Sequence, residues 1–236
     1  MKKEKKKIQK RVRKGEDYDE EYFAQRDLLG EHVADVIENL LKKNKVKSVL
    51  DVGPGTGRLM RFLENKGYKV KGLDISPVSA KYSGATVGSA IDMPFKNESF
   101  DCVLGLHIIE HLKAKEGIIF VNEVHRVLKR NGIIFLLTPN YGSPIRYIKG
   151  KDWYGYSDKT HVHFYTPNSL RKLLLQNGFG NIMFTFKITI STLGWPLPAF
   201  VEKFPPKIKY YINYLLVSTY LGLLRDSLWI GAKKRL

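Results

Sequence analysis

The sequence predicts an α/β fold, built on a doubly wound, mostly parallel sheet. Short apolar segments that suit buried strands alternate along the chain with segments whose apolar residues recur at helical spacing. One strand-like segment, residues 46–52, runs straight into a glycine-rich turn, and a helix-like segment follows. Strands that alternate with helices of this length are typical of a parallel sheet with helices on both faces.

The individual elements follow from apolar spacing and from residues that begin or end helices. A long leading helix is expected over residues 18–43, because its apolar residues share one face. A later helix has Thr166 as its N-cap and Pro167 at its first position, and Gly178 ends it. Further helices are expected at residues 59–65 and 118–129. Strands are expected at residues 46–52, 68–73, 86–88, 100–106, 133–137, 184–190 and 227–232.

Composition places the chain among ordinary soluble globular proteins. Its 236 residues are 43% hydrophobic and 27% charged, which suits one α/β domain with appendages. The single cysteine, Cys102, excludes an internal disulfide framework and predicts core packing in a reducing compartment. The lysine-rich N-terminus lacks the apolar region of a signal peptide, so a cytoplasmic location is expected.

Positive charge is concentrated at the N-terminus. The formal net charge is +17, and residues 1–14 contain nine lysines or arginines against one glutamate. We therefore divide the chain into a basic disordered tail, residues 1–16, and a domain, residues 17–236. Such a tail suits anionic lipid or nucleic acid as a partner, and a solvated flexible arm is the alternative.

The most informative segment is the turn after the first strand. It reads Asp51-Val52-Gly53-Pro54-Gly55-Thr56-Gly57, so its glycines follow the spacing G-x-G-x-G. Glycines let the backbone turn sharply and approach a ligand, and the following helix points its first amides at that ligand. A dinucleotide site needs G-x-G-x-x-G instead. The carboxylate of Asp51 would repel a pyrophosphate, but it suits a ligand that carries an ammonium group.

These residues resemble the first motif of the class I S-adenosylmethionine-dependent methyltransferases, in particular those that act on small molecules, lipids and glycans. Asp74 ends the next strand, about 20 residues beyond the turn, where an acid is placed to accept both ribose hydroxyls. The resemblance implies S-adenosylmethionine as the cofactor. It also implies a Rossmann-like sheet of seven strands, one of them antiparallel.

The resemblance further implies that the cofactor lies against the ends of neighbouring strands. The turn after the third strand is expected to hold the adenine. Ser89 stands where the family often has Asp, and Asp92 is the alternative partner. In the leading helix, Tyr18, Tyr22 and Arg26 could contact the cofactor or have ordinary packing and surface roles. The expected cofactor-binding residues are Asp51, Gly53, Pro54, Gly55, Gly57, Asp74, Ile75, Ser89, Ala90, Ile91, Leu106 and His107.

A second motif, H-x-x-E-H, runs from His107 through Glu110 to His111 and matches a pattern of zinc proteases. Zinc binding there would need both histidines on one helical face and a third ligand. Residues 102–106 predict a strand, so His107 lies at a strand end. We therefore expect no metal site.

Residues 153–164 follow the fifth strand, where open α/β sheets carry their substrate loops. They resemble a D-x-x-H-x-x-F-(T/S)-P segment of the small-molecule, lipid and glycan methyltransferases. His161 is the candidate catalytic base, because imidazole titrates near neutral pH. An equal alternative is that His161 anchors its loop through Asp158. His163 could assist the reaction or simply pack.

A long apolar connection precedes the last strand. It contains an insertion, residues 191–225, with an uncharged run at residues 210–224. This run is shorter than the ~20 residues of a membrane-spanning helix. It could form a lid, a dimer interface, a contact with a lipid interface beside the basic tail, or a helix packed on the core.

Together these observations predict a methyltransferase that moves a methyl group from S-adenosylmethionine to an oxygen of a small, lipid or glycan acceptor. Nitrogen and carbon are the alternative acceptor atoms. Peripheral contact with anionic membranes is a further expectation. An RNA-modifying methyltransferase is the alternative that the charge favours, although an N/D-P-P-Y/F motif is absent from the sequence. A non-catalytic binding or scaffold protein is the third interpretation. The sequence does not indicate an oligomeric state.

Overall fold

A computed structural model describes residues 31–184 and 225–235, together with six positions at 203–205, 207, 208 and 211. The strands are β1 (Ser48–Val52), β2 (Lys69–Asp74), β3 (Thr86–Val87), β4 (Phe100–Leu106), β5 (Leu128–Pro139), β6 (Phe179–Phe184) and β7 (Ser227–Lys234). The helices are α1 (Glu31–Lys43), α2 (Arg58–Asn65), α3 (Pro77–Ser83), α4 (Ala114–Val127), α5 (Ile145–Lys149), α6 (Tyr154–Ser157) and α7 (Pro167–Gln176). Short 3₁₀ helices span Ile109–His111 and Gly150–Asp152.

The strands form one seven-stranded sheet in the order β3-β2-β1-β4-β5-β7-β6. Neighbouring strands from β3 to β5 are parallel, whereas β7 runs antiparallel to both β5 and β6. This arrangement confirms the predicted fold class and its single reversed strand. The chain moves outward from β1 through β2 to β3 and then returns to place β4 on the other side of β1. The crevice beyond the carboxyl ends of β1 and β4 is therefore the expected ligand site of such a sheet.

Helices cover both faces of the sheet, and alternate residues of each strand serve the two cores. On one face, α4 and α7 pack over Ile134 and Leu136 of β5. On the other face, α1 and α2 pack over Ile133 and Phe135. Cys102 is fully buried in this second core, as its apolar strand predicted. Every helix among the described residues is too short or too polar to span a bilayer.

Three elements begin four or five residues earlier than predicted. Helix α4 begins at Ala114, earlier than predicted, and the Glu116 carboxylate accepts a hydrogen bond from the Lys113 amide at its start. Strand β5 begins at Leu128, directly after α4. Strand β6 begins at Phe179, because Gly178, with φ 84°, turns the chain at once from α7 into the strand.

Several predicted features lie outside the described residues. They are the basic tail 1–16, the leading helix before residue 31 with Tyr18, Tyr22 and Arg26, residues 185–190 of the predicted sixth strand, and most of the insertion 191–225. The predictions for these segments stay predictions.

The amino-terminal edge of the sheet is held by a carboxylate with many partners. Asp101 accepts hydrogen bonds from the amides of Lys47 and Ser48, from the Ser48 hydroxyl, and from the Lys129 ammonium at 2.8 Å. Burial alone would raise the pKa of Asp101, but the bonds from Lys129 and Ser48 outweigh it and lower the pKa to about 2. Asp101 therefore joins the beginnings of β1 and β4 to β5 and is structural.

Candidate functional site

The glycine turn between β1 and α2 requires its glycines for two physical reasons. Gly53, Gly55 and Gly57 have φ angles of 72°, 57° and 77°, in the left-handed region that side chains disfavour. A Cβ atom at Gly53 would overlap the terminal methyl of Ile108, and one at Gly57 would lie 2.7 Å from the Cα of Ser83. The turn therefore packs closely against Ile108 and Ser83, so a ligand has to approach it from another side.

Asp51 lies beneath this turn, within β1, and is only 2% exposed. No hydrogen-bond donor among the described residues reaches its carboxylate. Burial raises the pKa of Asp51 to about 7, and the nearby charge of Asp74 adds to this rise. A buried carboxylate without a partner is energetically unfavourable, so a cation placed beside it would be strongly stabilised. The contrast with the well-partnered Asp101 at the opposite edge makes this edge the candidate site.

Asp74 ends β2 and is tied to the start of α3. Its carboxylate accepts hydrogen bonds from the Ser76 amide at 2.9 Å and from the Ser79 hydroxyl at 2.5 Å. Burial raises the pKa of Asp74, and these hydrogen bonds oppose the rise. The Ser79 hydroxyl oxygen also lies 2.9 Å from the Gly55 carbonyl oxygen. The hydroxyl can therefore donate its one hydrogen to Gly55 instead of Asp74. One carboxylate oxygen is therefore available for exchange with a ligand hydroxyl.

The predicted adenine turn follows β3. The Ser89 hydroxyl accepts a hydrogen bond from the Ile91 amide at 3.3 Å, and the Ser89 carbonyl accepts one from the Asp92 amide. Ala90 and Ile91 are half-buried against the core. The hydroxyl and carbonyl of Ser89 thus bond within this turn, and the half-buried Ile91 side chain offers an apolar surface beside it.

All of the predicted cofactor residues lie at one edge of the sheet. Parallel strands β1, β2, β3 and β4 end there, so their last residues and following turns are neighbours. Ile75 and Leu106 are half-buried at the ends of β2 and β4, and His107 is exposed. Pro54 completes the glycine turn by accepting a hydrogen bond from the Gly57 amide.

The H-x-x-E-H segment leaves β4 and forms a short 3₁₀ helix. His107 has φ 57° and stands before that helix, so it shares no helical face with His111, as predicted. Glu110 is fully buried and accepts hydrogen bonds from His107 Nδ1 at 2.9 Å and from the Thr138 hydroxyl at 3.0 Å. Burial would raise the pKa of Glu110, but the hydrogen bond and charge of His107 and the charges of His111 and His161 lower it.

The predicted substrate loop folds back onto this helix. The amides of Val162 and His163 donate to the Glu110 carbonyl, and the Thr160 hydroxyl lies 2.9 Å from His111 Nδ1. The imidazole of His161 is held through Nδ1, which lies 2.7 Å from the Gly155 carbonyl. The Asp158 carboxylate accepts from the amide and hydroxyl of Thr160. His163 packs edge-on against Tyr165, with ring centres 4.6 Å apart.

The structure brings His161 into contact with the H-x-x-E-H segment. The sequence analysis did not predict this contact. One donor atom from each of Glu110, His111 and His161 lies within 4.8 Å of the others. The rings of His111 and His161 meet edge-on, with centres 4.8 Å apart. The expectation of no metal site concerned His107 and His111 as a pair on one helix, and His107 does stand outside the helix. Glu110, His111 and His161 are a different trio, which that reasoning did not consider.

An aromatic cluster adjoins His161. Trp153 is fully buried, and its indole nitrogen donates to the Asp226 carboxylate at 2.7 Å. Tyr141 and Phe164 are half-buried and stacked, with ring centres 5.5 Å apart, and Phe164 lies 6.2 Å from the His161 ring. This cluster provides an apolar surface beside the imidazole. Asp226 could not be identified from the sequence, because nothing in its local pattern indicates a partner 73 residues away.

Comparison with known proteins places these features in context. Residues 22–183 match the profile of a family described as "Methyltransferase domain". The chain is 34% identical to ajmaline N-methyltransferase of Rauvolfia serpentina, over 41% of this chain and 37% of that protein. It is 33% identical to the chloroplastic tocopherol O-methyltransferase of Arabidopsis thaliana, over 41% of this chain and 31% of that protein.

A solved structure shares the fold over almost the whole chain. It is the crystal structure of a SAM-dependent methyltransferase from Archaeoglobus fulgidus, with a TM-score of 0.63 and 20% identity, covering 92% of this chain and all of that one. By contrast, the chain spans only about a third of the length of the first curated relatives that it matches.

Proposed function

The chain belongs to the family of methyltransferase domains, and from that premise we propose that it transfers a methyl group from S-adenosylmethionine to an oxygen atom of a small molecule. Membership confirms the predicted family and, with it, the predicted cofactor. The observation that carries the proposal is the buried Asp51 carboxylate, which lacks a donor among the described residues beneath a tightly enclosed glycine turn. The cofactor's ammonium group is a cation of the kind that this carboxylate needs.

The proposed roles of the cofactor residues follow from their positions. Asp51 binds the ammonium group, and the backbone of Gly53, Pro54, Gly55 and Gly57 encloses the amino acid portion. Asp74 accepts the ribose hydroxyls after the Ser79 hydroxyl turns to Gly55. The adenine lies in the turn after β3. The remaining proposed contacts are made by Ile75, Ser89, Ala90, Ile91, Leu106 and His107.

The chemistry of methyl transfer favours an oxygen acceptor at this site. The sulfonium is already activated, so the protein has to align the acceptor and, for a hydroxyl, remove its proton. His161 supports this role because its Nδ1 donates to Gly155, which fixes the basic lone pair on Nε2. The half-buried ring of Phe164 beside His161 favours an aromatic or otherwise apolar acceptor. The similar proteins named above include both an O- and an N-methyltransferase, and lipid or glycan acceptors stay within the proposal.

Transfer of a labelled methyl group tests this proposal directly. The full chain is incubated with S-adenosylmethionine and panels of phenols, hydroquinones, amines, lipids, glycans and RNA, and products are identified by mass spectrometry. We expect a methylated oxygen in the small-molecule panel. For His161→Gln we expect turnover to fall by about 10²–10⁴-fold, because the acceptor proton has lost its base, while cofactor affinity is kept.

His125→Gln is the control, because His125 packs against Phe179, which lies in the core away from the site. This variant should keep its turnover. Methylation of RNA alone would establish the RNA-modifying alternative, and cofactor binding with no transfer to any acceptor would favour the non-catalytic one. If His161→Gln fails to fold, His161 is an anchor of its loop.

The proposed ribose contact gives a second test within the cofactor site. Asp74→Ala removes a charged hydrogen-bond acceptor, so S-adenosylhomocysteine binding should weaken by about 1.5–3 kcal/mol in calorimetry. Ser79→Ala is the matched control. It breaks the same Asp74–Ser79 bond but keeps the carboxylate, so its affinity should stay near that of the unaltered protein. Equal losses in both variants would mean that Asp74 only supports α3.

Peripheral membrane contact and a cytoplasmic location are part of the proposal and come from the sequence. The basic tail and most of the apolar insertion, which would make such a contact, lie outside the described residues. The flotation of the full chain with anionic vesicles, compared with a chain lacking residues 1–14, would examine them together.

A further inference from the structure

Glu110, His111 and His161 form a compact group of nitrogen and oxygen donors at the carboxyl edge of the sheet. Their donor atoms lie within 4.8 Å of one another, although His161 is 50 residues from His111 along the chain. Two imidazoles and a carboxylate are a ligand set that divalent transition metals use in proteins, and three protein ligands leave coordination positions open.

Each imidazole has a hydrogen-bond partner at Nδ1. His161 Nδ1 donates to the Gly155 carbonyl at 2.7 Å. The Thr160 hydroxyl gives its hydrogen to Asp158, so its oxygen accepts from His111 Nδ1 at 2.9 Å. In both rings the hydrogen is therefore on Nδ1, and the lone pair is on Nε2. Ligating histidines in proteins are commonly fixed in this way by a carbonyl or a carboxylate behind the ring.

Hydrogen bonds also orient the Glu110 carboxylate. Glu110 is fully buried and receives one hydrogen bond on each oxygen, from His107 and from Thr138. Each carboxylate oxygen has a second lone pair, which can bind a cation. His107 and Thr138 come from the ends of two neighbouring strands, β4 and β5, so the carboxylate is placed by the rigid part of the fold.

We propose that Glu110, His111 and His161 bind one divalent transition metal ion, with Zn²⁺, Fe²⁺, Co²⁺ and Mn²⁺ as the chemical class. Metal–ligand bonds of about 2.1 Å place donor atoms roughly 3 Å apart, so the three groups must close by about 1–2 Å on binding. His161 lies in a loop, and a shift of that loop can bring it closer to the other two residues.

A metal here would stand between the expected cofactor and the aromatic cluster. This consequence rests on the proposed function: an acceptor hydroxyl at an open coordination position would release its proton to solvent at a lower pH. His161 Nε2 would then act on the acceptor through the metal and would no longer be the base itself. The two roles are separated by comparing methyl transfer before and after removal of metal with a chelator.

Metal binding itself is tested on the full chain without any acceptor. Protein treated with chelator and dialysed is titrated with ZnCl₂ in a calorimeter, and with CoCl₂ while visible absorbance is recorded. We expect one equivalent to bind with a dissociation constant below about 10 μM, and Co²⁺ to give the absorbance of a site with nitrogen ligands. His111→Gln and His161→Gln should each weaken binding by at least tenfold.

His163→Gln is the matched control, because this histidine lies in the same loop but packs on Tyr165. It should bind both ions as the unaltered protein does. Thermal melts of all variants establish that they fold; if either ligand variant unfolds, Glu110→Gln, which keeps the shape of the side chain, replaces it. The proposal is wrong if the unaltered protein binds no ion, or if the ligand variants bind as tightly as the control. A failure of metal binding with methyl transfer intact would leave the proposed function standing.

Discussion

Replacing Asp51 by asparagine is expected to stabilise the cofactor-free protein at about pH 8 and, at the same time, to weaken cofactor binding by tenfold or more. The carboxylate is buried, lacks a donor among the described residues, and has a pKa raised to about 7 by burial and by Asp74. At pH 8 it is charged, and that charge destabilises the folded state. Asparagine removes the charge while keeping the size of the side chain.

The sign of the pH dependence follows from the direction of the shift. The pKa of an ordinary aspartate is 3.8, so between about pH 4 and pH 7 the folded protein holds a proton that the unfolded chain has released. The cofactor-free protein should therefore lose stability as pH rises through this window, by roughly 4 kcal/mol at most. The net gain in Asp51→Asn should be smaller, about 1–3 kcal/mol, because the amide is also buried without a partner.

Cofactor binding should show the opposite preference. An ammonium group binds the charged carboxylate, so affinity for S-adenosylmethionine should be constant above about pH 7 and fall about tenfold per pH unit below it. In Asp51→Asn the affinity should be low at every pH. Calorimetry with S-adenosylhomocysteine between pH 5.5 and 8.5, together with thermal melts, measures both effects.

Asp101→Asn is the matched control on a neighbouring strand. Its carboxylate has many donors and a pKa lowered to about 2, so its loss should destabilise the fold and leave cofactor affinity unchanged. A pH-independent affinity in the unaltered protein would contradict the assigned role of Asp51, as would equal affinities in the two variants.

The second large effect is expected at Gly57, where alanine should destabilise the protein by about 2–5 kcal/mol and weaken cofactor binding at least tenfold. Its φ of 77° strains any side chain, and the new Cβ would lie 2.7 Å from the Cα of Ser83. Because the obstructing atom is backbone, it cannot rotate away. The glycine turn must therefore open, and the amides that we propose to face the cofactor move with it.

Gly67→Ala distinguishes the backbone strain of a positive φ from the steric clash of the new Cβ. Gly67 has φ 88°, yet a Cβ there would meet nothing within 4 Å. Gly67→Ala should lower the free energy of unfolding only by the cost of a side chain at positive φ, about 1–2 kcal/mol. Its cofactor affinity should be unchanged. Urea unfolding and calorimetry of the two variants give the comparison. If both lose the same stability and both keep the cofactor, contact with Ser83 has no part in the turn.

The sequence by itself determined much of the local structure and the edge of the sheet that carries the candidate site. Apolar segments predicted strands β1 to β5 and β7, because buried strands and amphipathic helices need different spacings, whereas β6 begins five residues before the strand predicted there. Thr166 and Pro167 determined the start of α7, and the glycine turn with Asp74 identified the expected cofactor. These signals are local, since each depends on residues within a few positions of one another.

Only the tertiary structure decided the properties that depend on distance through space. The raised pKa of Asp51 depends on the neighbouring strands that exclude water and on Asp74, which comes from another strand. His161 reaches Glu110 and His111 because its loop returns to the end of β4. Trp153 finds Asp226 across 73 residues. Spacing along a chain cannot encode such contacts, because the energies of burial and charge pairing are set by which segments the folded sheet brings together.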